Sequence, residues 1–179
     1  PKNDIEDSEI AAHALRQIGT LAVIERLDGD STNGYRAVVR GVSRFKVETF
    51  KEEEHLLLAN GNDLPDEMDI AKDTVDSLVT NLKSVASEVL NLLPVNTKGA
   101  HEVLQHTDDP NSLANMCSQY LELPMQEKQE LLEMTNFRNR ALHLLDLLVR
   151  RKEELKVQRD IGQKLNSKMG KLHRETILR

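Results

Sequence analysis

The last 44 residues carry the longest periodic pattern of apolar positions in the chain. From residue 136 to residue 179 there is no proline, and apolar residues recur at spacings of three and four. In the distal part they are Ile161, Leu165, Met169 and Leu172, followed by Thr176 on the same side. This spacing predicts one helix, which at 1.5 Å per residue would be about 65 Å long. Because a compact domain of this size is narrower than that, we expect the far half to project.

The beginning of the chain shows the period of two that is typical of strands. Residues 18–27 form an apolar run rich in β-branched residues, which predicts a first strand. Residues 28–34 contain the Asp, Asn and Gly that favour a hairpin loop. From Tyr35 onward the apolar residues fall mostly on odd positions and the cationic ones on even positions, so a second strand is expected.

The second strand is not expected to be regular, because Gly41 interrupts its alternation and predicts a bulge or bend. A third short strand is expected from His55 to Ala59. Three strands alone would leave one apolar face poorly covered. We therefore expect either further strands upstream of Pro1 or a helix laid over this face.

Residues 63–135 predict a series of helices. Leu64-Pro65-Asp66 ends the strand region, and Asp66 is expected to cap the first helix. The apolar seam of this helix alternates spacings of four and three and stops before Pro94. Its members are Ala71, Val75, Leu78, Leu82, Val85, Val89 and Leu92.

Three shorter helices are expected before the final one. The first spans residues 100–106. The second has Asp109 as its capping residue and Pro110 at its first helical position. The third runs from Met125 to Met134, and Thr135-Asn136 is expected to cap the long C-terminal helix.

These patterns predict an α+β protein in three parts. Residues 1–62 form a small antiparallel β subdomain, incomplete and barrel-like, with a short helical turn from Ile10 to Leu15. Residues 63–135 form a helical subdomain, and residues 136–179 form the long projecting helix.

The formal net charge of −6 is unevenly distributed. From Arg150 onward ten Lys or Arg residues stand against four Asp or Glu, so the C-terminal helix is basic and the remainder is acidic. A basic helix is either a solvated surface or a contact for an acidic partner or nucleic acid. With five aromatic residues and no Trp, the chain has little to stack on single-stranded nucleic acid.

Cysteine usage and hydropathy limit the cellular setting. A single cysteine, Cys117, excludes an internal disulfide and fits a reducing compartment. No run of about 18 apolar residues predicts a membrane span, so no membrane partner is expected. The acidic first residues lack a signal-peptide core and do not begin with Met. We expect the chain to start inside a longer protein.

No set of residues has the spacing of a nucleotide site or a nucleophilic site. The segment from Gly162 to Lys171 contains a Gly-Lys pair but lacks the earlier Gly and the following Ser or Thr of a phosphate-binding loop. Ser84 follows Lys83, and Ser167 precedes Lys168. Neighbouring side chains on a helix point apart, so neither pair is expected to form a nucleophile and its base.

The remaining candidates have simpler structural explanations. The histidines are His13, His55, His101, His106, His143 and His173, and none has a partner at zinc-ligand spacing. Cys117 lies on an apolar helix face and is predicted to be buried. The strand cations Arg36, Arg40, Arg44 and Lys46 form either an anion site or the polar outer face of a half-buried strand, and the second is favoured. We predict no catalytic, cofactor-binding or metal-binding residue, and the substrate-binding residues stay unidentified.

Eight short motifs occur in a fixed order from Ile18 to the C-terminus. They are Ile18-Gly19-Thr20-Leu21-Ala22, the Asp28-Gly29 loop, Val38-Val39-Arg40-Gly41 with Arg44-Phe45, Asp108-Asp109-Pro110 with Leu113-Ala114, Leu123-Pro124, Glu127-Lys128-Gln129, Leu131-Leu132-Glu133, and Lys168-Met169 with His173-Arg174-Glu175 before Leu178-Arg179. In this series the chain resembles the N-terminal region of the ATP-dependent Lon proteases. The family normally opens with several strands before the position of Pro1, which we expect to be absent from this chain, and residues 55–99 follow the family only in pattern.

The resemblance implies a non-catalytic module of an ATP-dependent serine protease. Such a module recruits unfolded, damaged or degron-bearing proteins and supports the assembly of a hexamer. The full-length parent would be the enzyme: its ATP and Mg site and its Ser-Lys pair would lie beyond Arg179, so no residue here inherits those roles. The resemblance also implies the bacterial cytoplasm, with the mitochondrial matrix as an alternative.

Two other interpretations stay open. The chain is alternatively a coiled-coil oligomerisation or scaffold module that does not bind substrate directly, with the long helix making the contacts. A third interpretation, placed last, is nucleic-acid binding through the basic residues 150–179.

Overall fold

The computed structural model describes residues 15–30, 32–53 and 56–177 and divides the chain into two compact units. We call residues 1–67 the sheet unit and residues 68–179 the helical unit. The helical turn expected from Ile10 lies outside the described residues, apart from its last residue, Leu15. The predicted fold class is confirmed: an antiparallel sheet that is not closed is followed by helices that end in a long C-terminal helix.

Within residues 15–30, 32–53 and 56–67, the sheet unit contains three strands in the spatial order β1-β2-β3. Strand β1 spans Ile18–Asp30, β2 spans Gly34–Glu53 and β3 spans Leu56–Asp63. Both pairings are antiparallel, as the hairpin signals predicted. The third strand extends beyond the predicted end at Ala59, because Asn60, Gly61 and Asn62 still pair with β2.

The hairpin between β1 and β2 is tighter than predicted, which corrects the loop expected at residues 28–34. Asp28, Gly29 and Asp30 belong to β1 and pair with β2. Gly29 makes this possible through its positive φ of 108°, where a Cβ would lie 2.1 Å from the carbonyl oxygen of Gly34. The Asp30 carboxylate then closes the turn by accepting hydrogen bonds from the backbone N–H groups of Thr32 and Asn33, each at 2.8 Å.

The predicted irregularity at Gly41 is confirmed. Ala22 pairs with Gly41 and Leu21 pairs with Ser43, so Val42 is an extra residue in β2. Two further irregularities occur, one between Ile24 and Arg26 and one opposite Gly61, where an added Cβ would lie 2.0 Å from the carbonyl oxygen of Lys46. Glycine is therefore required at this position by the close approach of β2.

The helical unit contains five helices between residues 68 and 177. They are α1 (Lys72–Leu92), α2 (Lys98–His106), α3 (Pro110–Tyr120), α4 (Met125–Glu133) and α5 (Phe137–Ile177). The four predicted helices before the long one are all present, with boundaries that differ by one or a few residues from those expected.

The predicted cap of α1 is wrong. The helix begins at Lys72, and its capping residue Ala71 makes no side-chain cap. Asp66 instead forms an ion pair with Arg44 on β2, and both side chains are largely buried. The backbone N–H of Leu64 also donates to the Arg44 carbonyl at 2.9 Å. Asp66 thus fastens the end of the sheet unit and does not start a helix.

The other two predicted caps are confirmed. The Asp109 carboxylate accepts the backbone N–H of Ser112 at 2.7 Å, with Pro110 at the start of α3. The Asn136 side-chain oxygen accepts the backbone N–H of Asn139 at 3.1 Å. Local sequence signals therefore determine where α3 and α5 begin.

The hydrophobic core lies entirely in the helical unit among the described residues. It is aliphatic apart from Phe137 and Cys117. From α1 it contains Leu78, Leu82, Ala86, Val89 and Leu90; from the shorter helices and their connections Leu104, Leu113, Ala114, Cys117, Leu121 and Leu131; and from α5 Phe137, Ala141, Leu144, Leu147, Leu148 and Leu155. The predicted seam of α1 was right in outline, but it missed Ala86 and Leu90.

Where side-chain burial is described, one charged residue is buried with this core. Arg140 on α5 is 1% exposed. Its guanidinium donates to the Met134 carbonyl at 2.9 Å and to the Asn111 side-chain oxygen at 2.6 Å. Arg140 therefore joins the first turn of α5 to the end of α4 and the start of α3.

Helix α5 has 41 residues and a length of about 60 Å. The last buried side chain among residues 137–165 and 167–169 is Leu155; beyond it, residues 156–161, 163–165 and 167–169 are exposed and Gly162 is half-buried. The proximal half of α5 thus packs in the core of the helical unit, and residues 156–165 and 167–169 lie outside it.

Candidate functional site

The glycine and lysine residues near the C-terminus do not form a phosphate loop. Gly162, Lys164 and Lys168 all lie within α5, which is continuous from Phe137 to Ile177. A phosphate-binding loop needs successive backbone N–H groups turned toward one point, and inside a helix those groups donate to the preceding turn instead. These residues do not fit the phosphates of ATP.

The Ser-Lys neighbours occupy separate surfaces. Ser84 is exposed on α1, whereas Lys83 donates to the Gln105 carbonyl at 3.0 Å and lies 3.5 Å from the Asp108 carboxylate. Ser167 is exposed on α5 beside Lys168. Lys83 therefore joins α1 to the end of α2 and the start of α3, and does not serve as a base for Ser84.

The histidines that the structure describes lie on helices of the helical unit. His101 and His106 are both on α2, where His106 contacts the Glu102 carbonyl through Nδ1 at 2.7 Å. His143 is half-buried on α5. His13 and His55 lie outside the described residues. Across residues 15–30, 32–53 and 56–177, no three His, Cys, Asp or Glu side chains are grouped closely enough to hold a metal ion.

Cys117 is buried, as predicted, at 2% exposure. Burial raises the pKa of its thiol to about 12, so the nucleophilic thiolate is scarcely populated at neutral pH. The residue lines an apolar cavity of about 20 Å³ between α1, α2, α3 and α5. That volume would hold about one water molecule. Cys117 is thus a small core residue.

The strand cations do not form one continuous row. The extra residue Val42 interrupts the alternation of β2 between Arg40 and Arg44. Arg40 lies 2.7 Å from the Glu25 carboxylate, and Arg44 pairs with Asp66. Two of the four predicted cations are therefore engaged in ion pairs within the sheet unit, which favours the polar-face interpretation over an anion site.

The sheet unit presents an exposed apolar surface that we call the sheet patch. Ile24 pairs with Val39, and Leu27 pairs with Ala37. Residues paired across antiparallel strands share a face, as do alternate residues along one strand. Tyr35 lies two residues from Ala37 and joins the same face. The sheet patch therefore consists of Ile24, Leu27, Tyr35, Ala37 and Val39.

The members of the sheet patch are strongly exposed for apolar side chains. Ile24 is 62% exposed, Leu27 and Val39 are each 57% exposed, and Tyr35 is 65% exposed. Contiguous exposed apolar side chains indicate an interaction surface, whereas scattered ones do not. The odd-position alternation of β2 indicated this face in the sequence, but the partners on β1 required the register.

None of the described helices combines the length and the apolar composition needed to cross a bilayer.

The structure thus defines an α+β protein with an open three-stranded sheet, a helical unit and a long C-terminal helix. Its sequence matches the family described as the ATP-dependent protease La (LON) substrate-binding domain over residues 1–150. The chain belongs to this family, as its motifs indicated.

Named relatives agree with this assignment. Over 165 residues the chain is 34% identical to Lon protease 1 of Bdellovibrio bacteriovorus, and this alignment covers 92% of this chain and 21% of the relative. It is 32% identical over 174 residues to the Lon protease of Anaeromyxobacter dehalogenans, covering 97% of this chain and 21% of the relative. The chain therefore spans about a fifth of the length of these curated relatives.

A solved structure shows the same fold. The N-terminal domain of the Mycobacterium avium complex Lon protease superposes with a TM-score of 0.64 at 22% sequence identity. The superposition covers 82% of this chain and 74% of that domain.

Proposed function

We propose that this chain is the substrate-recruiting N-terminal region of an ATP-dependent Lon protease and that the sheet patch binds unfolded or damaged polypeptides. The observation that carries the proposal is the exposure of four large apolar side chains on one face of the sheet unit. The description of the matched family as a substrate-binding domain supports it.

The chemistry of the sheet patch suits an unfolded polypeptide. Such a chain exposes aliphatic and aromatic side chains that a folded protein buries, and transfer of this surface out of water is worth about 25 cal/mol per Å². The sheet patch offers aliphatic side chains and one aromatic ring with no charged group among its members. It would therefore recognise exposed apolar surface and not one particular sequence.

The proposal is tested with the 179-residue chain and a permanently unfolded model protein. Replacing Ile24 and Val39 together by Ser should weaken binding by about tenfold, since each change removes apolar contact area. The matched control is Val103→Ser, which alters an equally exposed valine on α2 in the helical unit. Isothermal titration calorimetry measures the affinity.

A second measurement distinguishes loss of the binding surface from loss of the sheet structure in the double variant. Amide hydrogen exchange of β1 and β2 reports whether the variant keeps its strand pairing. Equal binding by the parent chain and by a double variant with an intact sheet would reject the sheet patch as the binding surface. Weaker binding by Val103→Ser to the same extent would reject it as well.

We further propose that the parent protein is an ATP-dependent serine endopeptidase of the bacterial cytoplasm. The named bacterial relatives support this proposal, and they are more than four times as long as the chain. In this proposal a module after Arg179 binds ATP and Mg. A sequence after Arg179 that lacks a Gly-x4-Gly-Lys-Ser/Thr motif would contradict the proposal.

A second candidate function, self-association toward a hexamer, is favoured by the distal half of α5. Val157, Ile161, Leu165 and Met169 recur every four residues and are 53 to 68% exposed. A stripe of this kind is typical of helices that pair with another helix. Sedimentation equilibrium tests this candidate: Leu165→Asp should shift an associating chain to monomer, whereas Gln163→Asp should not. A chain that is monomeric at all concentrations would contradict it.

A further inference from the structure

A groove in the helical unit combines an apolar floor with a charged rim. It lies between the connection from α3 to α4, the start of α4 and the middle of α5, and its volume is about 250 Å³. Leu121, Leu123, Pro124 and Leu147 supply the apolar surface. Pockets for small organic ligands begin near 300 Å³. This groove therefore suits one or two side chains of a polypeptide better than a whole small molecule.

The rim of the groove carries more negative than positive charge. Arg150 pairs with Glu127 at 3.0 Å. Arg151 lies between two carboxylates, 2.7 Å from Glu122 and 3.5 Å from Glu154. Three carboxylates thus face two guanidiniums, and the carboxylates that share Arg151 are the exposed ones, at 82% for Glu122 and 51% for Glu154.

This excess of negative charge favours a cationic side chain in the groove over an acidic one. An acidic side chain entering the groove would meet three carboxylates and would have to compete for guanidiniums that are already paired. A Lys or Arg beside an apolar residue would place its cation against the exposed carboxylates of Glu122 and Glu154, which share the single charge of Arg151, while the apolar side chain contacts Leu123 and Leu147. Opposite charges attract at this range even near the surface, although salt weakens the attraction.

We propose that this groove binds an apolar residue adjacent to a Lys or Arg in an extended polypeptide substrate. The proposal rests on the proposed function and makes it more specific. It adds a preference for Lys or Arg in the substrate, which the uncharged sheet patch does not have. The groove lies wholly in the helical unit, so variants of the sheet patch leave its residues unchanged.

Three synthetic twelve-residue peptides test the preference. Each contains the same central Leu-Phe pair, flanked by Lys in the first peptide, Gln in the second and Glu in the third. Titration into the ¹⁵N-labelled 179-residue chain should shift the amide signals of residues 121–123 and of α5 near Leu147. At low salt the Lys peptide should bind about tenfold more tightly than the Glu peptide, with the Gln peptide between them.

Charge removal provides the matched comparison. The double variant Glu122→Gln, Glu154→Gln should weaken binding of the Lys peptide by about threefold and leave the Gln peptide unchanged, because exposed ion pairs contribute modestly. The control pair Glu130→Gln, Glu133→Gln on α4 removes the same charge away from the groove and should change neither peptide. Both carboxylates of the test variant are exposed, so its fold should persist.

Each outcome decides between the two proposals. Equal affinity for the three peptides, or amide shifts confined to the sheet unit, would overturn the groove assignment and leave the sheet patch standing. The groove would be supported if amide signals shifted at the groove and the peptides bound in the order Lys, Gln, Glu. The sheet patch would be rejected if, in addition, its variants bound the unfolded protein as tightly as the parent chain.

Discussion

The two units of this chain are stabilised in different ways. Among the described residues, the sheet unit buries no side chain fully, and its strands are held by ladder hydrogen bonds and by ion pairs such as Arg44 with Asp66. The helical unit buries seventeen apolar residues in a continuous core. A short chain can therefore keep one region well packed while a neighbouring region leaves its apolar side chains accessible.

This difference bears directly on function. Apolar side chains that already contact a core are unavailable to a partner, whereas those of the sheet patch are still in contact with water. The groove of the helical unit is intermediate, because Leu121 and Leu147 are buried in the core and only part of their surface lines the groove. We expect the sheet unit to respond mainly to backbone geometry and the helical unit mainly to side-chain volume.

The largest expected effect is a cavity in the helical core. Leu144 on α5 is completely buried, so Leu144→Ala should lower the free energy of unfolding of the helical unit by about 3 kcal/mol. The control is Leu142→Ala, two residues earlier on the same helix and 45% exposed. Urea unfolding followed by circular dichroism at 222 nm measures both. Similar losses for the two variants would show that burial does not determine the stability of this unit.

A second prediction concerns the pairing of β2 with β3, which a change at one glycine should weaken. Gly61→Ala would bring a Cβ to 2.0 Å from the Lys46 carbonyl oxygen, so β2 and β3 must separate locally, at a cost of about 2 kcal/mol. Gly19→Ala on β1 is the control, because its Cβ would meet no atom within 4 Å. Amide hydrogen exchange should accelerate in β2 and β3 but not in the helices. Faster exchange in the helical core would contradict the separation of the two units.

The sequence predicted best those features that depend on neighbouring residues. Asp109 and Asn136 cap their helices as expected, because an N-cap needs a side chain only two or three positions from its donor. Asp66 looked equally suitable, but its partner Arg44 lies 22 residues earlier in the chain. Spacing alone does not show that an ion pair will compete with a cap.

The surfaces were harder to predict than the elements. Alternation placed Tyr35 and Val39 on one face of β2, yet Ile24 joined that face only through the strand register. The groove was not predicted at all, since the Leu123-Pro124 connection and Arg151 are brought together by the packing of α5. The same reason explains why Arg140, with partners on two other segments, was not recognised as a buried residue.

A smaller effect, of opposite sign, is expected inside the helical unit. The Nε2 atom of His143 is buried and has no hydrogen-bond partner within the described part of the chain. Leaving a buried polar atom unsatisfied destabilises the folded state, so His143→Leu should raise the free energy of unfolding by about 1 kcal/mol. The control is His106→Leu, on the exposed end of α2, which should not raise the free energy of unfolding. A destabilised His143→Leu chain, measured by the same urea unfolding, would mean that the imidazole makes a favourable contact.

The smallest effect concerns the turn of the sheet unit and depends on pH. Hydrogen bonds from the backbone of Asn33, from the backbone of Thr32 and from the Asn33 side chain lower the pKa of Asp30 from its ordinary value of 3.8. Because the unfolded chain takes up this proton at higher pH than the folded turn, the carboxylate stabilises the turn above about pH 4 and ceases to do so as the pH falls through the folded pKa. The amide signals of Thr32 and Asn33 should therefore move together in that acid range, while Asp30→Asn, which keeps an acceptor oxygen but cannot titrate, should hold them constant. If the amide signals of the Asp30→Asn chain moved in the same way, a group other than Asp30 would control the turn, and backbone geometry would not be anchored by this carboxylate.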